Sequence, residues 1–245
     1  MAGRIRTGIG GWAYEPWRGT FYPAGLRQKD ELAHVGRTLG ATEINATYYS
    51  TQKPATFAGW AKAVPDGFHF AVKASRFCTN RKVLAEAGES IAKFTGQGIA
   101  ELGDRLGPIL WQFMPTKRFD PDDFGAFLKL LPASVDGVPL RHAVEVRHGS
   151  FDDPTFLTMA QEAGAAVVLA DHDEYPAIAG HDVGFSYVRL MRARSNDESG
   201  YPVDELKIWA QKAKALAGQG DCYAFFIAGA KEHNPAAAQK MAELL

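Results

Sequence analysis

The amino-acid sequence predicts an α/β fold: a single-domain TIM-like (β/α)8 barrel over residues 1–245, irregular between strands 6 and 7. Three observations carry that expectation. Eight strand-like segments alternate with helix-like ones, the signature of parallel βαβ units, and eight strands close a barrel. The chain has 245 residues, 46% of them apolar, which is enough for one large core. No internal repeat, low-complexity tract or domain boundary breaks the pattern. An open doubly wound sheet is the competing arrangement.

Arg4–Gly11 reads as a short, glycine-rich first strand. Its Gly8-Ile-Gly-Gly11 run does not complete a dinucleotide fingerprint, because the third glycine would fall on Ala13. An aromatic loop follows, Trp12 to Trp17 and then Phe21-Tyr-Pro23. Leu32, Val35 and Leu39 mark a helical face, and Thr42–Asn45 a short strand with Glu43 and Asn45 on one side. Pro54 opens a helix carrying Phe57, Trp60, Ala61 and Val64. Phe68–Lys73 alternates, with Phe68, Phe70 and Val72 opposite His69, Ala71 and Lys73.

From Arg81 to Leu102 the chain is helix-compatible, but Gly88, Gly96 and Gly98 interrupt it. Pro108–Phe113 is the fourth strand and Ala143–His148 the fifth, with Ala143, Glu145 and Arg147 sharing a face. Ala166–Ala170 is an apolar sixth strand ending at Asp171. The link from there to Phe185 is too short for a full helix with comfortable loops. Phe185–Leu190 and Tyr223–Ile227 complete the set, with Tyr187 and Arg189 together and a helix marked by Leu206, Trp209, Ala213 and Leu216 between. Asp120-Pro121, Asp153-Pro154 and Asn234-Pro235 each read as an N-cap acceptor followed by a first-turn proline.

Charged residues make up 22% of the chain and the formal net charge is −1. That balance supplies no bulk field to attract nucleic acid or anionic lipid, so neither is expected as a partner. Cys78 and Cys222 lie far apart without CxxC spacing, which argues against a disulfide framework or a cysteine zinc cluster and fits a cytoplasmic location. The N-terminal segment lacks the apolar core of a signal peptide, and no run approaches a membrane span.

In a barrel one strand face points to the axis and the other packs on the helices. The apolar faces suit the helix side, which sends Glu43, Asn45, Lys73, Gln112, Glu145, Arg147 and Arg189 inward. Each lies late in its strand, near the C-terminal rim where barrel active sites are built. The bland reading is a packed ion-pair layer, with Glu43 and Glu145 neutralising Lys73, Arg147 and Arg189. The functional reading is a polar pocket for a small anionic or sugar-like ligand, since arginine can clamp a carboxylate or phosphate through two parallel bonds.

In that pocket Glu145 or Glu43 would be the general base, with Lys73 and the arginines stabilising negative charge. Lys73 as a Schiff-base nucleophile requires a lowered pKa, whereas a salt-bridged lysine is the commoner case. His148 is either an acid/base group or faces the helices opposite Arg147. Asp171 would cancel the cationic surplus if it faced inward. Neither a metal nor another cofactor is expected, because the lysine and arginines would oppose a cation and no ligand spacing such as HExxH occurs. Trp12, Tyr14 and Tyr48, with Trp17, Phe21, Tyr22 and Tyr49, either stack on a ligand or plug the barrel mouth.

Several stretches resemble the YecE-like family, domain of unknown function 72: Gly8–Pro23, Glu43–Tyr49, Phe68–Arg76, Leu106–Phe113, Ala143–His148 and Tyr187–Leu190. They follow the family's order through nearly the whole chain. The resemblance implies a TIM-like barrel and matching positions at Glu43, Asn45, Lys73, Gln112, Glu145, Arg147, His148 and Arg189. It implies no activity. Three positions depart from the family pattern: Phe151, Met191-Arg192 and the Ile227-Ala228 end of the last strand. They point to an altered pocket on strands 7 and 8.

Three functions stay open at this point. One is an enzyme acting on a small anionic or sugar-like metabolite by metal-independent acid/base chemistry. The others are a non-catalytic binding or regulatory module using the same pocket, and a metal-dependent hydrolase of sugar or nucleic acid.

Overall fold

The computed structural model describes residues 3–245. The barrel strands are β1 Ile5–Gly10, β2 Ala41–Ile44, β3 His69–Lys73, β4 Leu106–Gln112 and β5 His142–Glu145. The sixth strand, β6, is split into Ala165–Val167 and Leu169–Asp171, and β7 Phe185–Leu190 and β8 Asp221–Phe226 follow. All neighbours in this sheet pair in parallel. The two pieces of β6 stand at opposite ends of the sheet order yet are separated only by Val168. The first piece pairs with β5 and the second with β7, so the circuit closes through one broken strand.

The principal helices alternate with the strands: α1 Glu31–Thr38, α2 Ala46–Tyr49, α3 Pro54–Ala63, α4 Arg76–Thr79, α5 Gly88–Thr95, α6 Pro121–Lys129, α7 Pro154–Glu162, α8 Val203–Ala217 and α9 Asn234–Leu244. Residues 172–184, between β6 and β7, hold no helix, as their length requires. Two of the proline-led starts behave as their sequence predicts. The Asp120 carboxylate accepts the Asp122 and Asp123 amides, and the Asp153 carboxylate accepts that of Thr155. Asn234 differs. It is the first helical residue, and its side-chain amide donates to the Ala228 carbonyl at 3.3 Å instead of capping α9.

The core has two layers. Ile9, Phe70, Val72, Trp111, Val144 and Val188 face outward into the larger layer beneath the helices. Ala41, Ala71, Leu110, Ala143, Ala166, Tyr187 and Phe225 fill the barrel axis. The small residues there are a packing requirement, because large rings from β7 and β8 occupy the shared space. Gly8 is the sharpest case: a Cβ there would lie 2.4 Å from the Ala41 carbonyl oxygen and 2.9 Å from the Phe225 ring. Cys78 and Cys222 are buried free thiols. Among the described residues no helix is long and apolar enough to cross a membrane.

Candidate functional site

The inner faces of β2, β4, β5 and β7 deliver a charged layer just below the C-terminal rim. Arg189 is its hub. Its Nε and Nη2 donate to the two oxygens of Glu43 at 3.2 and 3.1 Å, and its Nη1 to Glu145 at 2.5 Å. The Tyr187 hydroxyl donates to Glu43 at 2.7 Å. Gln112 donates to both oxygens of Glu145, and Arg147 Nε to one of them at 2.7 Å. Every oxygen of both carboxylates is thus engaged. Glu43 and Glu145 are fully buried and Arg189 almost so, a burial that only such pairing makes tolerable.

The pairing sets the protonation states. Burial alone would raise the Glu145 carboxyl, but Arg189 and Arg147, with the Gln112 hydrogen bond, overcome it and hold the group at about 2. Burial likewise opposes the Arg189 charge, and Glu145 and Glu43 more than offset it. A carboxylate held that low is a weak base near neutrality, so the general-base role foreseen for Glu145 loses its chemical footing.

Above this layer opens a cavity of about 610 Å³. Among the described residues its charged lining is Lys73, Arg147, Arg189 and Lys231, without an aspartate or glutamate. Lys73 comes from the end of β3, and among the described residues its ammonium makes no ion pair. It sits 4.3 Å from the centre of the Tyr48 ring. Burial lowers Lys73 to about 8, with the opposing pulls of Glu43 and Glu145 and the pushes of Arg189 and Arg147 leaving burial dominant. Lys231 follows β8. It lies over Tyr14 at 4.2 Å, and burial lowers its pKa too.

The structure gathers Asn45, Lys73, Gln112, Arg147, Arg189 and Trp12 around the cavity, with Glu43 and Glu145 beneath. Tyr14 and Tyr48 do not line it; each supports a lysine that does. His148 also lies outside the lining. β5 ends at Glu145, where its ladder with β4 ends at Gln112, and the chain then turns. The His148 ring accepts the Ser150 amide at 3.0 Å and caps a short turn over Gly149–Phe151, which leaves it poorly placed as a catalyst. Asp171 points elsewhere, to Arg192 at 2.7 Å and the Tyr201 hydroxyl at 3.1 Å, so it does not cancel the charge of the mouth.

The aromatic loop divides. Trp17 and Tyr22 are buried plug, with Trp17 Nε1 donating to the Lys231 carbonyl, while Trp12 reaches the cavity. Tyr49, an exposed residue of the same aromatic set, also lines it. Of the three departures, Phe151 is buried among Phe113, Phe124 and Phe156, whereas Met191, Ile227 and Ala228 line the mouth. Nothing in the sequence marks Lys231 or Asn234 as a pocket residue, and Met191 stands out there only as a departure from the family pattern. They sit past the strand ends, where no two-residue period marks a face. Among the described residues no group of three or more His, Cys, Asp or Glu is arranged to hold a metal ion.

A closed parallel barrel with a polar cavity at its C-terminal rim defines a TIM-like barrel. The chain belongs to the family described as protein of unknown function DUF72, whose model matches residues 6–245. TM1631, a DUF72 family protein from Thermotoga maritima MSB8, superposes with a TM-score of 0.76 at 22% identity, covering 98% of each chain. EF0366, a DUF72 family protein from Enterococcus faecalis V583, gives 0.76 at 18% identity, covering 98% of this chain and 95% of that one. SacUVDE gives 0.60 at 9% identity, covering 99% and 98%. At these identities the likeness is one of fold, and fold does not carry function. No curated protein matches the chain.

Proposed function

We propose that the barrel mouth binds a small anionic metabolite and acts on it by proton transfer that needs no metal, with Lys73 as the titrating group. One observation carries this reading: among the described residues the cavity lining bears Lys73, Arg147, Arg189 and Lys231 and no carboxylate. Beneath it only Glu43 and Glu145 offset that charge, and both are already held by arginine. A purely structural ion-pair layer would have used the two lysines as well. A bound phosphate or carboxylate would supply their missing partner, with Arg147 offering planar donors at the rim.

A lysine poised at about 8 exchanges its proton near neutral pH far more readily than an ordinary one, which suits acid/base work on a bound substrate. The paired carboxylates then serve to hold Arg189 and Arg147 in place.

A thermal-shift screen tests the binding. Inorganic phosphate, small carboxylates, phosphorylated sugars and nucleotides would each be added with a divalent metal and with chelator. Ligand at about 100 times its Kd adds about 2.7 kcal/mol, on the order of 5–11 °C for a chain of this size. The expected result is a shift with an anion that is insensitive to chelator and lost in Arg147→Ala. A shift that needs metal, or one that survives in a folded Arg147→Ala, would overturn the reading.

A further inference from the structure

The chemistry of the mouth narrows further, on the footing that it binds an anion. An amine becomes a nucleophile only when it is not committed to a carboxylate and is aimed at bound substrate. Lys73 meets both conditions. Lys73 lines the cavity, and among the described residues no carboxylate oxygen lies within ion-pair distance of its ammonium. The two carboxylates that could have captured it, Glu43 and Glu145, are saturated by Arg189, Arg147, Tyr187 and Gln112. The ammonium rests against the Tyr48 ring, which steadies it far less than a carboxylate would. The stem rises from the last residue of β3, so a rigid strand, not a loop, sets its direction.

We propose that Lys73 forms a Schiff base with a carbonyl group on the anion held at the mouth, so that the substrate class is a small keto or aldehyde acid or its phosphate ester. The neutral amine adds to the carbonyl carbon to give a carbinolamine. The C–O bond then breaks, and the former carbonyl oxygen leaves as water with both amine hydrogens. No oxidant or reductant is consumed. Arg147, Arg189 and Lys231 have a distinct part: they hold the anionic end and draw electron density from the carbonyl. Arg189 and Arg147 also resist protonation of Lys73, while Glu43 and Glu145 favour it from below.

Burial supports the same assignment, because it lowers Lys73 to about 8 and leaves a useful fraction of free amine near neutral pH. Lys231 is the only other lysine in the lining among the described residues, and its ammonium rests on the faces of Tyr14 and Trp17.

The test is reductive trapping. The full chain is incubated at neutral pH with pyruvate or dihydroxyacetone phosphate, treated with borohydride, and read by intact mass and peptide mapping. One reduced adduct is expected on the Lys73 peptide, formed on the order of tenfold faster than on surface lysines, blocked by excess inorganic phosphate and absent in Lys73→Arg. Adducts scattered over surface lysines, alike in both proteins, would overturn the Schiff base while leaving the anion site intact if phosphate still stabilises the chain. Absence of both the adduct and the phosphate shift would remove the anion site itself. Should Lys73→Arg not fold, the peptide map of the unaltered chain decides.

Discussion

At the N-terminal end of the barrel axis, Arg6 donates to Asp221 at 2.7 Å and Arg141 reaches the same carboxylate at 3.8 Å. Arg141 and His69 both meet the Tyr223 hydroxyl, at 2.6 and 2.7 Å, and both guanidiniums lie over the Tyr223 ring. Burial, with Arg6 and Arg141 nearby, lowers His69 to about 4, so it is neutral at physiological pH. At the C-terminal end the same kinds of residue are present, but among the described residues Lys73 and Lys231 have no carboxylate partner at the cavity. At the lower end Arg6 and Arg141 share a partner within the chain, Asp221. Among the described residues the upper end leaves two lysines without a carboxylate partner. The contrast teaches that buried charge alone marks neither function nor stability; the unpaired remainder is the informative part.

Arg189→Met should have the largest effect, because it strands Glu43 and Glu145 in the interior. Loss of about 3–5 kcal/mol is expected in urea denaturation followed by circular dichroism. A loss below about 1 kcal/mol would break the picture of one hub serving two buried acids.

Acid comes next. Glu145 is held at about 2 against an ordinary 4.5, so its contribution is fully present above 4.5 and is lost as pH falls toward 2. That window carries about 3 kcal/mol from this group. Glu145→Gln should flatten the stability curve there. Lys73 has the opposite sense. Its pKa is about 8 folded and 10.5 unfolded, so the folded state disfavours its charge, and stability should rise from pH 8 to 10.5. Lys73→Met should abolish that rise in a urea midpoint series, and an unchanged rise would assign it to other groups.

Asp221→Asn sharpens the comparison from the lower end. About 1–3 kcal/mol of stability should be lost, with the phosphate-induced thermal shift kept. A variant that folds but no longer responds to phosphate would show that the two ends are not separate.

What the sequence revealed, and what it hid, follows the same division. Phe185–Leu190 matches the observed β7 from end to end, and Glu43, Lys73, Gln112, Glu145 and Arg189 emerge on the inward side because a two-residue period fixes faces within strands. Beyond a strand end that rule lapses. Arg147 reaches the mouth while neighbouring His148 caps a turn, and Lys231 opens a short 3-10 turn after β8. Asn45 lies just past β2 rather than within it, yet still lines the cavity. The break in β6 at Val168 has no mark in an all-apolar run, since both pieces look alike and only their different partners separate them. The ring around Tyr223 has no mark either, because Arg141 just precedes β5 and Asp221 opens β8, where charge normally reads as loop.

The most direct measurement is an NMR titration of the Lys73 side chain, with and without inorganic phosphate. A lysine left free for an external anion should titrate near 8 in the free protein and move upward when phosphate binds. A value near 10.5 that phosphate leaves unchanged would contradict an unpaired, ligand-facing Lys73 and return the upper layer to a purely structural role.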